Sequence, residues 1–65
     1  MISYEPLFKT LEEKGLSLFK VEKEIGLSSV TTAKFRKGES TTLDTIARIC
    51  EFLDVPIEKV VEIKR

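Results

Sequence analysis

The stretch KEIGLSSVTTAKFRKGES, residues 23–40, carries glycines at 26 and 38 and gathers Lys34, Arg36 and Lys37 just ahead of the second one. Gly26 suits the left-handed stop of one helix, Ser28 suits the cap of the next, and Gly38 suits another stop. This punctuation predicts a helix from the Ser28 cap to Arg36 or Lys37. The run Val30-Thr31-Thr32 opposes it by roughly 1–2 kcal/mol of helix propensity and would also suit a strand. A five-residue strand with no partner in the chain would be left unpaired, so the helix is preferred.

Working outward, Ser17 reads as an N-cap, with Leu16 and Val21 spaced as a hydrophobic staple, and its helix runs to Ile25 in barely two turns. Upstream, Leu7, Phe8 and Leu11 share one face of a helix from Tyr4 to Lys14, with Pro6 in the opening turn and Gly15 at the stop. Downstream, Thr42 caps the most strongly periodic segment, in which Leu43, Ile46, Ala47, Ile49, Cys50 and Leu53 recur at helical spacing. Val55-Pro56 then breaks the chain and opens a last turn or two with Ile57, Val60 and Val61, after which residues 62–65 are expected to fray. The expectation is an all-α, compact five-helix domain spanning residues 1–65 as one unit.

Bulk composition narrows the function. Sixty-five residues leave little room for a deep enclosed pocket, which favours work done at a surface. Eleven basic and eleven acidic side chains cancel, so any nucleic-acid role needs charge segregated on one face. With one cysteine, no histidine and no glycine-rich phosphate loop, metal sites, Ser-His or Cys-His catalysis and cofactor chemistry are disfavoured, and no enzyme is expected. Cys50 reads as a small core thiol. No leader or long apolar run is present, and the simplest home is a reducing cytoplasm, with no membrane and no small-molecule substrate as partner.

Two short helices joined by a glycine-containing turn of about three residues form the helix-turn-helix arrangement, whose second helix enters the DNA major groove. That explains the sparse apolar content of the segment after Gly26. Leu27 and Phe35, helped by Thr32, anchor one face, and the other stays free. The groove is about 12 Å wide and admits a helix with small leading side chains.

The segment SLFKVEKEIGLSSVTTAKFRKGES, with Gly26, the Leu27-Ser28 step and the closing Arg36-Lys37-Gly38-Glu39, followed by TLDTIARICEFLDV, resembles the Cro and lambda-repressor type, or XRE family, of helix-turn-helix transcriptional regulators. The resemblance covers nearly the whole chain. It implies double-stranded DNA as partner, a repressor-like role, and base contacts from Ser28, Ser29, Val30 and Lys34, with Ala33 close by. It implies phosphate contacts from the backbone N–H groups at Ser17 and Leu18 and from Lys20, Arg36, Lys37 and Thr41. It also implies a homodimer on a two-fold operator, for which Phe52, Val60, Val61 and Ile63 are the expected contacts; a core role for Val60 and Val61 is the alternative.

The chain departs from the family pattern at three places. Val21-Glu22 stands where Leu-Ala is usual, and Thr32 stands where a larger aliphatic residue is usual, so its hydroxyl needs a carbonyl one turn back. Leu18-Phe19 stands where polar residues are frequent, which removes a side-chain phosphate contact. Neutral overall charge and the expected exposure of Leu18 and Phe19 favour a rival reading, in which the same fold is a protein-interaction module or an antitoxin-like partner.

Overall fold

Tyr4, Leu7, Leu11, Leu18, Val21, Phe35, Ile46, Ile49, Leu53 and Val60 converge from every part of the chain into one buried cluster. The computed structural model covers residues 1–65. Its elements are β1 (Ile2–Ser3), α1 (Glu5–Lys14), α2 (Leu18–Ile25), α3 (Ser29–Lys37), α4 (Leu43–Leu53), a 3-10 turn at Ile57–Lys59 and β2 (Glu62–Ile63). No helix is long and apolar enough to cross a membrane.

The helix starts follow side-chain chemistry. Ser17, Ser28 and Thr42 accept the amides of Lys20, Thr31 and Thr45 at 3.1, 3.1 and 3.2 Å, satisfying donors that a helix leaves free in its first turn. The glycine stops also fall as expected. At the end of α2, Gly26 takes φ +71 and the Leu27 amide reaches back to the Glu22 carbonyl at 3.0 Å. At the end of α4 the same left-handed geometry is carried by Asp54, at φ 57, a residue whose short polar side chain tolerates it.

Helix α1 begins differently. Its cap position is Tyr4, which makes no side-chain cap bond. Instead the Leu7 amide donates to the Val60 carbonyl at 3.1 Å, and the buried Thr10 hydroxyl donates to the Lys59 carbonyl at 2.7 Å. The far end of the chain therefore completes the start of the near end.

Four expectations are corrected. There are four α-helices, and the fifth is a single 3-10 turn, because Pro56 holds an extended conformation before it and the β-branched chain after it is drawn out to pair. Residues 62 and 63 do not fray: Ile2 pairs with Ile63 and Ser3 with Glu62 in an antiparallel ribbon, and the Lys64 amide donates to the Met1 carbonyl at 2.8 Å. Val60 is fully buried under α1, which removes it as a contact for a second copy. Leu18, expected at the surface, is 6% exposed and belongs to the core.

Smaller differences follow from the narrow width of the buried stripes. Phe8 lies at the edge of the α1 core face and is partly exposed; Leu43 and Ala47 are on the periodic face of α4 but lie beyond its cover. Cys50 is half-buried.

Candidate nucleic-acid interface

Helix α3 is attached to the core through Thr32 and Phe35, both essentially without exposure. The Thr32 hydroxyl donates to the Ser28 carbonyl at 3.1 Å, one turn back, so its burial leaves no polar atom unsatisfied. The Phe35 ring meets the Tyr4 ring edge-on. Leu27 adds a half-buried contact ahead of the helix. These few anchors are enough because α1, α2 and α4 supply most of the core.

The opposite face is open. Ser28, Ser29 and Val30 are exposed at the leading turn, Val30 at 68%; Ala33 and Lys34 are half-buried one turn on, and Arg36 and Lys37 are exposed at the end. No acidic residue occurs between Ser29 and Lys37, so a chain of zero net charge presents a purely cationic helix face. The Ser28 hydroxyl is engaged twice, accepting from the Thr31 amide and donating to the Thr31 hydroxyl at 3.0 Å.

Alongside α3, Lys34 and Thr31 share a polar notch with Ser40, Thr41, Thr42 and Thr45 at the start of α4. Thr41 is held there by Tyr4, whose hydroxyl donates to the Glu39 carbonyl at 2.8 Å and lies 3.3 Å from the Thr41 hydroxyl.

On α2, Ser17 caps the first turn, and the early N–H groups of a helix are free for an anion. The Leu18 side chain points into the core, so only its backbone is available to such a ligand. Lys20 is exposed and pairs with Glu24 at 2.9 Å; that hydrogen bond and charge hold the Glu24 carboxyl below its ordinary range. Phe19 is 59% exposed, with the Lys23 ammonium 5.5 Å from its ring centroid.

The chain that carries this acid-free helix, held by a three-residue turn against a capped partner helix, matches the Cro/C1-type helix-turn-helix DNA-binding domain model over residues 7–64. The chain belongs to that family. Its structure superimposes on the crystal structure of the transcriptional regulator VanUg, form II, with a TM-score of 0.91 and 30% sequence identity, covering 94% of this chain and 81% of that one. No curated protein sequence matches significantly.

Within this helix-turn-helix, the structure adds a positioning residue that the sequence reading missed. The Arg48 guanidinium on α4 donates to the Ile25 carbonyl, the last of α2. A cation at a helix C-terminus complements the dipole, and here it also ties the turn before α3 to the scaffold. Twenty-three residues separate the partners, and no local pattern marks the pair. The expected dimer contacts do not form one patch of equal character. Phe52 and Ile63 are exposed, Val61 is half-buried and Val60 is interior.

Proposed function

We propose that this chain is a sequence-specific DNA-binding transcriptional regulator, acting as a repressor, that inserts α3 into the major groove. The single observation that carries the reading is the division of α3 between two anchors, Thr32 and Phe35, and an outer face with cations and no carboxylate. Ser28, Ser29, Val30, Ala33 and Lys34 meet base edges; lysine donates to guanine, serine serves either base type, and the Val30 methyls meet a thymine methyl. The backbone at Ser17 and Leu18, with Lys20, Arg36, Lys37 and the Thr41 hydroxyl, contacts phosphates. Neither cofactor nor catalysis is involved, and residues 1–65 act as one unit.

Two copies share a two-fold operator with half-sites about 34 Å apart. Phe52, Ile63 and the exposed edge of Val61 are the surfaces offered for the contact. The rival interaction-module reading loses Leu18, which is interior, and keeps Phe19 as its main support.

Selection from random duplexes, followed by titration at several salt concentrations, tests the proposal. A palindromic motif should be enriched, and the three cationic phosphate contacts, Lys20, Arg36 and Lys37, should lower log K by roughly 2.7 per tenfold rise in salt. Lys34→Ala or Ser29→Ala should relax sequence preference, whereas Lys37→Ala should weaken all sequences alike. If no motif is enriched, the rival reading takes over.

A further inference from the structure

The pairing of Ile2–Ser3 with Glu62–Ile63 carries Lys64, from the far end of the chain, to the rim of a cleft beside the last turn of α3. Arg36 and Lys37 line the same cleft, and Phe8, partly exposed, contributes to its apolar wall. Its one carboxylate is Glu5, whose side chain is 3.3 Å from the Lys64 ammonium. Both partners of that pair are well exposed, at 46% for Lys64 and 73% for Glu5, so solvent screens it and it holds Lys64 only weakly.

We propose that this cleft seats a DNA phosphodiester, with Lys64 as a backbone contact from outside the helix-turn-helix. The inference rests on the DNA-binding reading of α3 and extends its footprint. Two observations favour that occupant. The cleft is continuous with the cationic end of α3, so a duplex lying along the helix has its backbone beside it. Cations outnumber carboxylates there in a chain with no net charge, which is the complement of a polyanion and not of a neutral or basic partner. Lys64 exchanges its loose hold on Glu5 for the phosphate, and Glu5 weakens binding by competing for the ammonium.

The test uses the full chain and a random-sequence duplex titrated with salt, so it does not depend on an operator being known. Lys64→Gln should lower the slope of log K against log salt by about 0.9, so that between about 50 and 200 mM salt the parent loses about 3.5-fold more affinity than the variant. Lys64→Arg should keep the slope, and Glu5→Gln should tighten binding to all duplexes at low salt. Sequence preference should be unchanged in all three. If Lys64→Gln leaves the slope intact while Lys37→Ala lowers it, the cleft is overturned and the α3 reading stands. If Lys64→Gln lowers the slope but no motif is ever enriched, the cleft stands and sequence-specific reading by α3 falls. Absence of any duplex binding overturns both.

Discussion

The ring of Tyr4 meets the ring of Phe35 edge-on, with centroids 4.7 Å apart and planes inclined by 74°. This contact joins the start of the chain to the buried side of α3, and the Tyr4 hydroxyl extends the link to the Glu39 carbonyl beyond that helix. Tyr4→Phe keeps the ring and loses the hydrogen bonds, which should cost ~0.5–1.5 kcal/mol. Phe35→Ala removes the largest fully buried side chain and should cost ~3–5 kcal/mol, a large share of the stability of a domain this small. Urea unfolding of the two variants should return that order.

Thr32→Val should be nearly neutral, within ~1 kcal/mol. The Ser28 carbonyl that accepts the Thr32 hydroxyl also accepts the Thr32 amide at 3.0 Å, so it stays satisfied when the hydroxyl is replaced by a methyl group. Thr32→Ser keeps the bond and gives up a buried methyl, which should cost ~0.8 kcal/mol or more. A thermal melt in which Val is the more damaging of the two would mean that the hydroxyl, and not the volume, holds α3 in place.

Ser28 both caps α3 and lies on its exposed face, and two substitutions separate these roles. Ser28→Ala should cost ~1 kcal/mol through loss of the cap. Ser28→Asp retains a cap and places a carboxylate favourably at the helix N-terminus, so folding should be preserved. The same carboxylate faces the DNA, and duplex binding should fall sharply at low salt. Parallel melting and duplex titration would expose an error in either half.

Gly26→Ala should destabilise by ~1–2 kcal/mol from backbone conformation alone. The residue has φ +71, and a methyl group there would meet nothing within 4 Å, so steric clash does not contribute. Since the strain falls on the turn before α3, the effect on duplex affinity should exceed that of an equally destabilising change in α1. Equal effects would show that the turn geometry does not govern docking.

Burial pushes the Cys50 thiol above its ordinary value of 9.0, with Glu51 and Glu58 adding to the shift. Because the folded state holds this proton more tightly than the unfolded chain, the contribution to stability is complete below pH 9.0 and is lost as pH rises through the folded value. The urea midpoint of the parent should therefore fall more between about pH 8 and about pH 10 than that of Cys50→Ala. Alkylation at neutral pH should be slower in the folded protein than in denaturant.

The four α-helices were legible because most of their ends are announced locally: a Ser or Thr cap at 17, 28 and 42 for α2, α3 and α4, glycines at 15, 26 and 38 after α1, α2 and α3, and apolar residues at helical spacing between them. These signals act over one or two turns, the range that a linear sequence displays. The open cationic face of α3 was legible for the same reason, since Thr32 and Phe35 leave the other positions of a short helix uncommitted.

What the linear order did not display are the relationships that close the fold. Leu18 reads as a surface residue because its helix is too short to define a stripe, whereas the packing of α2 places it in the core. The ribbon of residues 2–3 with 62–63, the burial of Val60, the Arg48 bond to Ile25 and the placing of Lys64 in one cleft with Arg36 all join distant positions through backbone carbonyls or short exposed segments. Local chemistry determined where α2, α3 and α4 begin and where α1, α2 and α3 end. The tertiary structure alone decided which chain ends meet and which cations gather, because two-residue strands and orphan carbonyls carry no periodicity and their partners lie far away in the sequence.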